Sequence, residues 1–284
     1  MEFKENEIKS RNIPIHLYIY EHGINRPSVI FIHGISLHVG VYTNFLELIA
    51  KENLNVIAFD LEGHGRSGGE RGYFTFEGIM KDISEVVNYT AKNYNSQIAL
   101  FGSSLGGILA FYAAIINPQV KTLVCHNVLD LKNIFSFLPY VPKYLFISKF
   151  KKILPTLFKF FSWGYLPLNF LINENLLFEN PENTKKWKND PLCTRKYRIS
   201  SLISLFFTPE NKPSLEEMKK PIRIITGEND PFIPVEYVEE FYKKLKCEKD
   251  LVIIPKAKHM LPLEYTTLTA SLVTEWIKKK LGKI

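Results

Sequence analysis

Gln97-Ile98-Ala99-Leu100-Phe101-Gly102-Ser103-Ser104-Leu105-Gly106-Gly107-Ile108-Leu109-Ala110-Phe111-Tyr112-Ala113-Ala114 is the stretch whose reading decides the fold. An apolar, strand-like run ends at a G-x-S-x-G pentapeptide, residues 102–106, and a helix-forming run follows at once. A serine at such a junction sits on a tight turn, and the flanking glycines remove side chains that would clash there. The turn lifts the hydroxyl out of the sheet. The helix N-terminus offers N–H groups to an oxygen on which negative charge develops. Ser104 is therefore the candidate nucleophile.

The same rhythm extends outward. Strands are expected at residues 15–20, 28–32, 55–60, 97–101 and 120–125, and again at 222–226 and 251–254. Between them, Phe76, Ile79, Ile83, Val86, Val87 and Thr90 recur near helical spacing behind Thr75, a good N-cap. Further helices are expected at 235–246 and 266–281. Strands alternating with helices imply an α/β fold with a mostly parallel sheet covered on both faces. The rhythm breaks between about 128 and 215, which predicts three parts: core 1–127, a mainly helical cap inserted over 128–215, and core 216–284.

A serine hydroxyl is a poor nucleophile until a base takes its proton, and the base must be oriented by an acid. In this architecture they follow the serine in the order acid, histidine, each in a loop after a strand. Asp230 lies in Gly227-Glu228-Asn229-Asp230-Pro231 after one expected strand, and His259 in Lys256-Ala257-Lys258-His259-Met260 after the next. Taken singly, Asp230 reads as a turn residue beside proline and His259 as a surface histidine. Their order and strand-end placement turn them into a triad with Ser104. Asp130 and Glu228 are fallback acids, and His126 reads as structural. The backbone N–H groups of Leu105 and Ile35 are the expected oxyanion donors. No metal-ligand spacing and no dinucleotide or phosphate-loop fingerprint occurs, so no metal or cofactor is implied.

The chain of 284 residues carries a net charge of +7. Residues 131–213 hold 13 Lys/Arg against 5 Asp/Glu, while the rest holds 23 against 24, so the basicity is local. That distribution argues against nucleic acid as a partner and for a local anionic one. Residues 128–215 also hold 17 of the 38 aromatic residues. Phe158, Phe161, Trp163 and Tyr165 are candidate substrate-binding residues of an acyl channel, with packing of cap onto core as the plain alternative. Lys143, Lys149, Lys151, Lys152 and Lys159 are positioned for transient contact with an anionic membrane surface, or form a solvated face. Residues 153–172 are mostly apolar, but Pro155, Gly164 and Pro167 interrupt them, against a membrane-spanning helix. Three widely spaced cysteines and a charged N-terminal run predict a reducing, cytoplasmic location, peripheral to membrane at most.

Together these residues resemble the α/β-hydrolase superfamily. His33-Gly34-Ile35-Ser36-Leu37-His38-Val39-Gly40-Val41-Tyr42 is similar to the HGxxxHxxxY segment of monoacylglycerol lipases and lysophospholipase-like hydrolases, a group also labelled serine aminopeptidase S33-like. Residues 60–72 resemble that group's D-x-x-GHG-x-S-x-G-x-RG loop, and Asp190-Pro191-Leu192 a short cap motif. The resemblance implies a serine hydrolase acting on carboxylic esters, with monoacylglycerol or lysophospholipid-like lipids as substrates. Ser103 departs from it, because lipases of the group usually carry histidine there. A small-ester carboxylesterase, a peptidase, a carbon–carbon bond hydrolase and a catalytically silent binding protein remain the alternatives. Serine rather than aspartate at 104 speaks against haloalkane dehalogenases and most epoxide hydrolases.

Overall fold

The structure is a computed structural model and describes residues 3–137, 140, 161–170 and 172–282. The strands are β1 (Lys4–Ser10), β2 (Ile13–Tyr20), β3 (Ser28–Ile32), β4 (Asn55–Phe59), β5 (Ile98–Ser103), β6 (Val120–His126), β7 (Tyr165–Pro167), β8 (Lys196–Arg198), β9 (Ile222–Gly227) and β10 (Lys249–Ile254). Eight of them form one sheet in the order β1-β2-β4-β3-β5-β6-β9-β10, and β7 pairs with β8 in a separate antiparallel ribbon. From β4 to β10 every pairing is parallel, while β1 and β2 add an antiparallel edge. The central strands are apolar along their whole length, as a sheet covered on both faces requires.

The helices are α1 (Thr43–Ala50), α2 (Phe76–Asn93), α3 (Leu105–Ile116), α4 (Pro181–Asn189), α5 (Ile199–Phe206), α6 (Val235–Lys244), α7 (Leu261–Glu264) and α8 (Thr266–Leu281). Thr75 caps α2 as expected, its Oγ1 accepting the Gly78 N–H at 3.0 Å. Phe76, Ile79, Ile83, Val86 and Val87 then face inward, each buried side chain contributing about 1.5–3 kcal/mol. Helix α3 is buried over Leu105–Ala114 and packs on β5 and β6, which anchors the turn in front of it.

Two elements differ from the sequence expectation. Strand β1 has mostly exposed, charged positions, so it lacks the apolar alternation that marks a half-buried strand. It pairs only with β2, and such charges suit an exposed edge. The segment between β6 and β9, expected to be mainly helical, holds beside α4 and α5 the β7–β8 ribbon, whose three-residue strands are too short to leave a periodic signal. Among the described residues no helix is long and apolar enough to cross a membrane. The whole of the expected lysine face, Lys143, Lys149, Lys151, Lys152 and Lys159, lies outside the described residues, as does Phe158.

Candidate active site

The sheet delivers three loops to one place. β5 ends at Ser103, and Ser104 follows with φ 55° and ψ −118°, in the left-handed region that a non-glycine residue rarely adopts. A Cβ at Gly102 would lie 2.0 Å from the Gly106 carbonyl oxygen, and one at Gly106 would lie 2.0 Å from that of Ile32. Glycine is thus obligatory on both sides of the turn. Asp230 follows β9 and His259 follows β10, so both partners stand at carboxyl ends of parallel strands.

The three side chains form one hydrogen-bonded chain. Ser104 Oγ lies 2.8 Å from His259 Nε2, and His259 Nδ1 lies 2.8 Å from Asp230 Oδ2. With Nδ1–H directed at the carboxylate, Nε2 is left as the acceptor for the serine proton. The other oxygen of Asp230 accepts the N–H groups of Phe232 (2.8 Å) and Ile233 (3.1 Å). Burial opposes ionisation of Asp230, yet His259 and these N–H groups outweigh it and hold the carboxyl at about 2. It is a fixed negative charge at neutral pH.

Asn127 is a participant that carries no sequence motif. It lies just past β6 with φ 70°, and its Nδ2 donates to Asp230 Oδ2 at 2.8 Å. Its own carbonyl is fixed by the Thr226 hydroxyl at 2.9 Å, which sets the amide's orientation. His126 lies beside this network, bonded to Ser103 Oγ at 3.1 Å. Burial and then the neighbouring His259 push it down to about 3, so it is uncharged. The fallback acids are engaged elsewhere. Asp130 Oδ1 accepts the N–H groups of Lys132 and Asn133, and Glu228 accepts that of Lys256.

The loop after β3 passes directly over the serine, since a Cβ on Gly34 would lie 3.3 Å from Ser104 Cβ. Among the described residues neither Ile35 N–H nor Leu105 N–H has a protein acceptor. The loop itself is held firmly. His33 Nδ1–H donates to the Gly34 carbonyl at 2.8 Å, and its Nε2 accepts the Leu61 N–H at 3.0 Å. Asp60 accepts the N–H groups of Val39 and Arg66, tying the loop over 33–42 to the one over 60–72. His38 donates from Nε2 to Asp190 at 2.8 Å and accepts the Gly40 N–H on Nδ1. Cys193 stands close to this pair, but with both ring nitrogens of His38 so engaged the cluster reads as hydrogen bonding.

The aromatic candidates stand apart. Phe161 and Trp163 are 57% and 70% exposed, and Tyr165 donates its hydroxyl to Glu70 with the Lys196 ammonium over its ring. No described hydrogen bond or ring contact joins them to Ser104 or His259. A cleft of about 320 Å³ lies instead between α1, α4 and α7, lined by residues that include Phe45, Phe178, Lys186, Trp187, Asp190 and Pro262.

Comparison with known proteins agrees with this architecture. The family described as "Serine aminopeptidase, S33" matches residues 23–266. Human monoglyceride lipase is 26% identical over 263 residues, covering 89% of this chain and 83% of its own. The monoglyceride lipase homolog of monkeypox virus is 24% identical over 258 residues, covering 88% and 89%. The crystal structure of Paleococcus ferrophilus monoacylglycerol lipase superposes with a TM-score of 0.74 at 23% identity, over 99% of this chain and 100% of that one. With a hydrolase sheet, strand-end loops that converge on one serine, and a family match over most of its length, the chain belongs to the S33 serine aminopeptidase family as an α/β-hydrolase of the monoglyceride-lipase-like group.

Proposed function

We propose that the protein is a serine hydrolase that cleaves carboxylic esters through an acyl-enzyme, with Ser104 as nucleophile, His259 as general base and acid, and Asp230 as the orienting acid. The observation that carries this reading is the 2.8 Å pair of contacts through His259, which link Ser104 Oγ to the Asp230 carboxylate. His259 Nε2 takes the Ser104 proton as Oγ attacks the ester carbonyl, and the Ile35 and Leu105 N–H groups receive the oxyanion. His259 returns the proton to the leaving alcohol as the C–O bond breaks. Water then attacks the acyl-enzyme by the same route, releasing the acid and restoring Ser104. Each oxyanion donor contributes about 3 kcal/mol of transition-state stabilisation.

The similarity to monoglyceride lipases supports monoacylglycerol or lysophospholipid-like esters as the substrate class. Exposed Phe161, Trp163 and Phe170 on the inserted segment suit transient contact with a lipid surface. The free thiols of Cys125, Cys193 and Cys247 suit a reducing compartment, such as the cytoplasm. An acyl-length series of p-nitrophenyl esters, extended to monoacylglycerols and lysophospholipids, tests the substrate. Rates that rise toward long chains support the lipid reading; a peak at two to four carbons replaces it with a small-ester carboxylesterase. Sedimentation with anionic liposomes, lost on Trp163→Ala and Phe161→Ala, tests the surface contact, and unchanged sedimentation contradicts it.

A further inference from the structure

We propose that Tyr197, assisted by Trp187 and Thr194, is a positioning residue for the oxyanion hole, so that the inserted segment holds the loop on which the Ile35 donor sits. The inference rests on the hydrolase reading above and adds residues to it that no motif marks.

Ser36, the residue after Ile35, has φ 69°, a left-handed conformation that a serine keeps only where its surroundings enforce it. They do so on every polar atom it has. Its N–H donates to Tyr197 Oη at 2.7 Å. Its carbonyl accepts the Thr194 N–H at 3.0 Å. Its Oγ accepts from Trp187 Nε1 at 3.0 Å. All three partners come from residues 187–197, far from the loop in sequence.

Tyr197 is also part of a directed chain. Its Oη accepts from Ser36 and donates to His64 Nε2 at 2.9 Å, while His64 donates from Nδ1 to the Glu62 carbonyl at 2.9 Å. Burial holds His64 uncharged, its pKa pushed down to about 3, which keeps Nε2 an acceptor. Ser36, His64 and Tyr197 are each fully buried, so removing the phenol hydroxyl leaves the Ser36 N–H and His64 Nε2 without their protein partner. Only a group that accepts and donates at one oxygen closes this chain. The loop it fixes runs on through Ile35 to Gly34, which lies against Ser104. A small displacement there moves an oxyanion donor off its target.

The test compares Tyr197→Phe, Trp187→Phe and Ser104→Ala with the wild-type protein, using p-nitrophenyl butyrate. An alkyl trifluoromethyl ketone serves as oxyanion-forming inhibitor, and the methyl ketone of the same chain length as ground-state control. For Tyr197→Phe, kcat is expected to fall about 10- to 100-fold with KM within about twofold. Trifluoromethyl ketone affinity should drop by a matching factor and methyl ketone affinity stay unchanged. Trp187→Phe removes the indole N–H bond to Ser36 and leaves a smaller aromatic ring in its place, so the same pattern is expected at about three- to tenfold. An unchanged kcat with only a lowered melting temperature means that Tyr197 merely packs the core, and overturns the proposal. If Tyr197→Phe does not fold, the inhibitor pair on Trp187→Phe decides by the same criterion. A wild-type protein without esterase activity, or Ser104→Ala as active as wild type, overturns the hydrolase reading itself, and this proposal falls with it.

Discussion

The two halves of the candidate site are built by different means. Ser104, Asp230 and His259 stand on loops that leave β5, β9 and β10, so parallel backbone pairing places them before any side chain is chosen. The oxyanion loop at Gly34–Ser36 leaves β3 in the same way, yet its final turn is bonded to Trp187, Thr194 and Tyr197 of the inserted segment. The order of the candidate triad comes from sheet topology; the geometry of the candidate donor loop is shared with the segment between β6 and β9. On the proposed reading, such a fold keeps its triad while the segment between β6 and β9 alters how well the triad works.

The largest effect expected on the sheet-built half is that of Asp230→Asn. Loss of the buried carboxylate removes the group that fixes the His259 tautomer, and kcat should fall about 10⁴-fold at neutral pH. Asp130→Asn should leave kcat within about twofold, since Asp130 only caps its own turn. Steady-state kinetics on both variants decide the matter, and the reverse ranking would move the acid to Asp130. A smaller effect is expected at Asn127→Gly, which tolerates φ 70° but loses the amide that donates to Asp230. A charge-assisted bond of about 1.5–3 kcal/mol is removed, so kcat should fall about 10- to 100-fold. A wild-type rate in that variant would show that His259 and the Phe232 and Ile233 N–H groups hold Asp230 without help.

The two halves also share a dependence on pH. Burial, a larger effect than any partner, keeps His33, His64 and His126 uncharged with pKa values of about 3, whereas a histidine of the unfolded chain titrates at about 6.5. Between those values the unfolded state binds more protons than the folded one, so stability falls as the pH is lowered through that window. Each histidine contributes about 1.4 kcal/mol per pH unit at full effect. Urea unfolding between pH 7 and pH 5 should show a slope approaching three protons. A slope below one would mean that these rings are protonated in the fold.

The sheet, most helix boundaries and the strand-end positions of Ser104, Asp230 and His259 are legible in the sequence because each is signalled locally. Apolar runs end at His33-Gly34, at the G-x-S-x-G turn, and just before Asp230 and His259, and α8 begins and ends where its spacing predicts. Asn127, Trp187 and Tyr197 were not legible. Their contacts span 103, 151 and 161 residues of chain, and nothing in their neighbourhoods distinguishes them from loop or core residues. The aromatic richness of residues 128–215 fits an acyl channel or packing of cap onto core. Within the described part it includes exposed Phe135, Phe161, Trp163 and Phe170, buried Phe178, Trp187 and Tyr197, and others half-buried, a partition that composition alone does not carry.

Labelling with a fluorophosphonate, followed by peptide-level mass spectrometry, bears most directly on the claim that Ser104 is an activated nucleophile. The reagent needs a serine whose proton is taken by a base and an oxyanion pocket beside it. The account predicts one adduct per chain, on Ser104 and not on neighbouring Ser103, and none after Ser104→Ala or heat unfolding. No adduct on the folded protein, or one that persists at the same rate in Ser104→Ala, would contradict it.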